Sequence, residues 1–179
     1  MRNAVFVSGA ESSGNRLITR ILADNGFTDV SGTETGYRST KRWQDVRTPE
    51  TNEPIVWLRS IPHGGEWPDF WGMTKLLRLR DYRVTALVPM RDWWSTANSQ
   101  VQATHVGSTA EALKNLRVAA ATVFGTLAAL EIPFAVVSYE QLVRSPPATL
   151  SNALRANSVA TPPLIVREEI RDENAKWEV

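Results

Sequence analysis

Near its start the chain places Gly9 and Gly14 around the four residues Ala10-Glu11-Ser12-Ser13, between an apolar run and an amphipathic one. Those residue types at that spacing suit the binding of an anion. A helix that begins at such a loop presents unpaired N–H groups and a partial positive charge. Gly14 lets the backbone come close to a ligand, and successive N–H groups form a nest for phosphate oxygens. Ser12, Ser13 and Asn15 add side-chain hydrogen-bonding groups, and Arg16 adds charge. Further along, Arg91 is followed by Ser99, about two helical turns on. A guanidinium fork and a hydroxyl can hold one phosphate between them. A third group is Arg59-Ser60 with His63 in a glycine-rich loop. A histidine there can be neutral at working pH and take a proton from a hydroxyl.

The elements around these residues alternate. Asn3 to Ser8 (NAVFVS) reads as a buried strand, Gly9 to Gly14 as a loop, and Asn15 to Asn25 as a helix. That helix has Leu17, Ile18, Ile21 and Leu22 on one face and Gly26 at its end. Residues 28 to 53 are polar and read as one long connection of the kind that forms lids. Pro54 to Leu58 is the second strand and Arg59 to Gly72 a loop rich in Pro, Gly and Trp. Thr74 to Arg80 is a short helix, and Arg83 to Val88 is the third strand, ended by Pro89. Trp93 to Ala103 and Thr109 to Leu130 are helices, the second capped by Ser108 or Thr109 with Glu111 in its first turn. Pro133 to Ser138 is the fourth strand, and Ala148 to Ala156 the last regular helix. The alternation predicts a three-layer α/β fold, a mostly parallel sheet flanked by helices, in one domain spanning 1–179. Ligands of such sheets bind beyond the carboxyl ends of the strands, where each of the three groups falls.

Bulk composition narrows the function classes. The chain has 179 residues, 42% hydrophobic and 22% charged, with a net charge of +1. No global field draws it to nucleic acid or to a membrane surface, so an anion site must be local. The absence of cysteine excludes disulfides, thiolate metal sites and a cysteine nucleophile. Two histidines, His63 and His105, give no metal cluster, and His105 reads as structural or solvated. The apolar run at the N-terminus is too short for a secretion signal, and no stretch reaches membrane-spanning length, which leaves a cytoplasmic location as the expectation.

The spacing G-x-x-x-x-G matches the loop that holds nucleotide triphosphates, but that loop continues with Lys and Ser/Thr, where this chain has Asn15 and Arg16. The hydroxyl that would hold magnesium is missing, and no metal is expected. Ser13-Gly14-Asn15-Arg16, the pair Arg91 and Ser99, and Tyr139-Glu140-Gln141-Leu142 followed by Ser145-Pro146 occur in the order found in one family. Together they resemble the sulfotransferases that use 3′-phosphoadenosine 5′-phosphosulfate. The resemblance covers most of the chain and implies a P-loop type fold. It implies transfer of a sulfuryl group from that co-substrate to a hydroxyl or amine of a small-molecule or glycan acceptor. It assigns co-substrate binding to Ser12, Ser13, Gly14, Asn15, Arg16, Arg91, Ser99 and Tyr139, and catalysis to His63 as base with Arg16 and Arg59 on the leaving phosphate.

The chain also departs from the family pattern. Ser12 stands where the family usually has Lys or Arg, and His63 comes two residues later than the family's histidine. The C-terminal segment that grips the 3′-phosphate is not recognisable; Arg167, Arg171 and Lys176 are the basic residues near that end. Trp67, Trp71, Trp93 and Trp94 gather near the motifs, as packing or as stacking surfaces. Two other readings stay open: a P-loop kinase of a small metabolite or nucleotide, and a non-catalytic nucleotide-binding protein.

Overall fold

The computed structural model describes residues 2–31, 53–62, 69–166 and 170–176. Five strands form one parallel sheet: β1 (Arg2–Val7), β2 (Thr28–Asp29), β3 (Ile55–Leu58), β4 (Tyr82–Met90) and β5 (Phe134–Ser138), in the order β2-β3-β1-β4-β5. The helices are α1 (Asn15–Asp24), α2 (Phe70–Leu79), α3 (Trp93–Gln102), α4 (Thr109–Ala129), α5 (Tyr139–Arg144) and α6 (Pro146–Ala156), with a short 3-10 helix at Glu173–Lys176. The fold is a three-layer α/β fold, as the alternation of elements predicts.

The central strands β1, β3 and β4 are largely buried on both faces, which is why they read as mainly apolar runs. In β1, Ala4 and Phe6 face one layer while Val5 and Val7 face the other. The first layer is α2 and α4, packed through Phe70, Met73 and Leu77 and through Ala119, Val123 and Leu127. The second is α1, α5 and α6, packed through Ile18, Leu22, Leu142, Leu150 and Leu154. Phe6, Trp57 and Phe70 tie β1, β3 and α2 together, with the Phe6 and Trp57 rings 4.9 Å apart and edge-on. Cover thins at the β5 edge, where Phe134 and Val136 are 41% and 50% exposed.

Several boundaries differ from those the sequence predicts. The polar stretch after α1 opens with a strand: Thr28 and Asp29 pair with Ile55 and Val56, and its neighbours Phe27, Val30 and Ser31 are buried. Residues 32–52, the remainder of the predicted connection, lie outside the described residues. α2 starts at Phe70, four residues before the predicted Thr74, because Asp69 caps it by accepting from Gly72 N–H at 2.9 Å. α5 occupies a segment read only as a motif, with Ser138 as its N-cap.

Pro89 does not end β4, which continues to Met90. Ala86 donates its N–H to Pro133 on the β5 side, so Leu87 and Pro89 turn their polar groups toward β1. The last bond on that side is from Ser8 N–H to the Leu87 carbonyl, at 3.0 Å. The missing N–H of Pro89 therefore falls where β1 has already ended and removes nothing from the ladder.

The connection leaving β1 leads to the β3–β2 side of the sheet, and the one leaving β4 leads to β5. The carboxyl ends of β1 and β4 are thus the point where the chain diverges, and a crevice opens there. No described helix is long and apolar enough to cross a membrane.

Trp57→Ala removes the centre of the aromatic cluster and should lower stability by about 3–5 kcal/mol in urea denaturation. Trp57 Nε1 is buried with no hydrogen-bond partner among the described residues, so Trp57→Phe should cost less than half as much. Equal losses in the two variants would contradict this packing.

Candidate functional site

The loop after β1 is closed by its own side chains. Ser13 Oγ donates to the Ala10 carbonyl at 2.6 Å. Asn15 Nδ2 donates to the Gly9 and Ala10 carbonyls at 3.2 and 2.8 Å, and to Ser60 Oγ at 3.3 Å. The side-chain donors of Ser13 and Asn15 are committed inward, so the loop offers a ligand chiefly its backbone N–H groups. Ser12 and Gly14 have positive φ, 66° and 101°. Gly14 is the N-cap residue of α1, and among the described residues no side chain caps that helix. A helix start of this kind has N–H groups without intrahelical partners, which suits an anion. Asn15 Oδ1 is buried without a partner among the described residues.

The two glycines serve the protein's own packing. A Cβ on Gly9 would lie 2.6 Å from the Pro89 carbonyl oxygen, so glycine lets the loop close on β4. A Cβ on Gly14 would lie 2.9 Å from the Tyr139 ring. The sequence suggests a glycine kept clear for a ligand; here the cleared space holds an aromatic ring, and the positive φ is a second reason for glycine.

The loop also runs beside the end of β3. Arg59 N–H donates to the Val7 carbonyl, Ile61 N–H to the Gly9 carbonyl, and Ser8 Oγ to the Arg59 carbonyl at 2.7 Å. Arg59 is buried at the seam between the two loops, and Arg16 is exposed in the first turn of α1. His63, read as the base, and Trp67 lie outside the described residues. His105 pairs with Glu11, Nδ1 to Oε2 at 3.3 Å. Among the described residues there is no group of three or more side chains suited to a metal ion.

Arg91 follows β4 and is only 7% exposed. Asp92, its chain neighbour, caps α3 by accepting from Ser95 N–H at 2.8 Å. Arg91 Nη1 donates to Ser99 Oγ at 3.2 Å and to the Ser12 carbonyl of the phosphate-type loop at 3.3 Å. Its guanidinium carbon lies 4.8 Å from the centroid of the Tyr139 ring. Nε donates to Asn174 Oδ1 at 2.5 Å. Nη2 is buried with no partner among the described residues. A full positive charge thus sits in the interior against neutral partners, with one nitrogen still lacking an acceptor.

The structure brings Ser12, Ser13, Gly14, Asn15, Arg91, Ser99 and Tyr139 into one neighbourhood, gives the motif residue Glu140 a part in it, and adds Asn174, which no motif names. Glu140 accepts from Asp92 N–H at 2.9 Å, from Ser138 Oγ at 2.9 Å and from Asn174 Nδ2 at 3.1 Å. Asn174 bridges Glu140 and Arg91. Of the basic C-terminal residues, Arg171 is exposed and Arg167 lies outside the described residues; the side chain that reaches Arg91 from this stretch is the neutral Asn174. No spacing signals it, because its partners lie far away in the chain. Burial pushes the Tyr139 hydroxyl above its usual range, so it stays neutral and accepts from Glu173 N–H at 3.2 Å. Beside Arg91 a small cleft, open to solvent, runs between the loop, β4 and α4, with Met90, Leu116, Val123 and Phe124 among its mainly apolar walls. Trp93 also lines it, while Trp71 and Trp94 are exposed.

Comparison with protein-family models gave no match, and a search of curated proteins gave none either.

Two outcomes follow from this geometry. Gly14→Ala should lower the melting temperature by an amount equivalent to about 1–3 kcal/mol, from left-handed strain and overlap with Tyr139; an unchanged melting temperature would contradict the close approach. Burial by itself would raise the Glu140 pKa, but its hydrogen bonds outweigh this and hold the carboxyl below the ordinary glutamate range. Its stabilising contribution is then complete above the ordinary glutamate pKa and is lost as pH falls through the lowered native value. The stability gap between wild type and Glu140→Gln in urea should shrink as pH drops from about 7 to about 3. A gap constant across that range would mean that the carboxylate is not held this way.

Proposed function

We propose that the crevice binds 3′-phosphoadenosine 5′-phosphosulfate and that the protein is a sulfotransferase acting on a hydroxyl or amine acceptor. The observation that carries this reading is Arg91: a buried guanidinium with neutral partners and, among the described residues, an unpaired Nη2, beside a helix N-terminus that no described side chain caps. Two adjoining anion-binding groups suit a ligand with two separate phosphate ends. One is charged and specific, and the other is built of backbone N–H groups.

In this reading Arg91 and Ser99 hold the 3′-phosphate, with Tyr139 behind the guanidinium. The N–H groups at the start of α1, from Gly14 onward, hold the 5′-phosphosulfate. The acceptor's lone pair forms a bond to sulfur in line with the bond from sulfur to the 5′-phosphate oxygen. That bond breaks, its electron pair stays on the phosphate, and the acceptor's proton passes to His63. Charge on the departing oxygen is met by the loop N–H groups, the α1 dipole and the Arg16 and Arg59 side chains. The 3′-phosphate takes no part in the chemistry, so its grip supplies remote binding energy that positions the sulfuryl group. The loop has asparagine where a triphosphate-binding loop has lysine, which favours a donor with less charge at this end than ATP.

Calorimetric titration with 3′,5′-adenosine bisphosphate, beside ATP with magnesium, tests the reading. The bisphosphate should bind, and Arg91→Ala should weaken it by about 3 kcal/mol, a hundredfold in Kd. Binding of ATP with magnesium alone would overturn the reading in favour of a kinase. Bisphosphate binding without transfer to any of a broad set of acceptors would favour a non-catalytic nucleotide-binding protein.

A further inference from the structure

Asn174 lies 83 residues from Arg91 in sequence, in the 3-10 helix Glu173–Lys176. Its side chain is 9% exposed. The amide orientation is settled by two charged neighbours: Oδ1 faces the Arg91 Nε–H and Nδ2 faces the Glu140 carboxylate at 3.1 Å. Reversing the amide would set donor against donor and acceptor against acceptor. Two more bonds fix the backbone there. Asn174 N–H donates to Asp172 Oδ1 at 2.9 Å, and Glu173 N–H donates to the Tyr139 hydroxyl at 3.2 Å. The same Tyr139 ring supports the guanidinium.

A guanidinium has one Nε–H and two terminal nitrogens, in a rigid plane. Engaging Nε with Asn174 and Nη1 with Ser99 and the Ser12 carbonyl fixes the direction of that plane. Nη2 is then the nitrogen whose aim is set by the other two, and it is the one without a partner among the described residues. Glu140 contributes from a distance. Its carboxylate orients Asn174 and lies one amide away from the guanidinium, so the network holds the arginine without a direct ion pair. A carboxylate in the place of Asn174 would hold Arg91 as firmly and would oppose an incoming anion.

We infer that Asn174 is a positioning residue, which aims the Arg91 guanidinium at a phosphate or sulfate group by tying its Nε to Glu140 through a neutral amide. The inference deepens the binding reading above and rests on Arg91 being an anion site. The C-terminal stretch thereby becomes part of that site without adding a charge to it.

The test uses the full chain in three forms: wild type, Asn174→Ala and the double variant Arg91→Ala/Asn174→Ala, beside Arg91→Ala alone. Calorimetry with 3′,5′-adenosine bisphosphate and with adenosine 5′-monophosphate separates the two phosphate ends. Asn174→Ala should weaken the bisphosphate about tenfold and leave the monophosphate unchanged. In the Arg91→Ala background the second substitution should have no further effect. Inorganic sulfate, followed at the Arg91 Nε–H resonance by NMR, reads the same guanidinium without a nucleotide, and its response should weaken in parallel. Should wild type bind sulfate at Arg91 but not the bisphosphate, the co-substrate reading would fall, while a sulfate response weakened in Asn174→Ala would still support the positioning role. Equal weakening of both nucleotides would mark a merely structural residue and overturn the inference. So would unchanged binding of every anion in Asn174→Ala, or a wild type that binds no anion at Arg91.

Discussion

The constraint on which this site depends is the burial of one positive charge among neutral groups. Taking an arginine out of water costs several kcal/mol unless its donors are met and its charge is balanced. Arg91 has Asn174, Ser99, the Ser12 carbonyl and the Tyr139 ring, and none of these carries a charge. Much of the surrounding structure follows from holding the guanidinium there. β4 runs on past the end of β1 to carry it beyond the sheet. Gly9 allows the loop to close on Pro89, and Gly14 leaves room for Tyr139. The Ser12 carbonyl turns to the arginine from a backbone in the left-handed region. The shape of the loop and the place of the charge are therefore one problem with one solution, and a ligand anion would complete the balance.

The phosphate-type loop can be understood in the same terms. In a triphosphate-binding loop a lysine brings charge to the ligand. Here Asn15 takes that position and turns its amide onto the loop's own carbonyls. It carries no charge and stiffens the loop instead. Positive charge must then come from outside the loop, and the buried Arg91 is close enough to touch it. The division of labour is clear: backbone N–H groups give shape and partial charge, and the arginine gives full charge at a second point. A preorganised loop needs little rearrangement on binding, which lowers the cost of ordering it around a ligand.

How much of this could be read from residues alone depends on the distance over which each signal acts. The apolar run Ala4–Val7 and the helical spacing of Leu17, Ile18, Ile21 and Leu22 are local, and β1 and α1 lie within a residue of their expected limits. Ser108 and Glu111 mark the start of α4 in the same way. β2 escapes because two residues, Thr28 and Asp29, carry no periodicity; only the sheet beside them makes them a strand. Pro89 misleads because its effect depends on which neighbour its missing N–H would face, and a sequence does not show where β1 stops. The early start of α2 was available in Asp69, a capping residue hidden in a loop rich in Pro, Gly and Trp.

The site shows the same split. Arg91 and Ser99 are brought together by helical spacing after a strand, and that spacing is visible in the chain. Asn174 meets Arg91, and Glu140 reaches it through Asn174, only because β4, β5 and the C-terminal stretch come together beyond the ends of the strands. An asparagine has no pattern that would single it out, and a search guided by charge looks past it to the basic residues nearby. The site needs a neutral residue for a physical reason. A further basic side chain would repel the guanidinium, and an acidic one would satisfy it outright. On the proposed binding reading, an amide held by a distant carboxylate fixes the arginine's geometry and leaves its charge for a ligand.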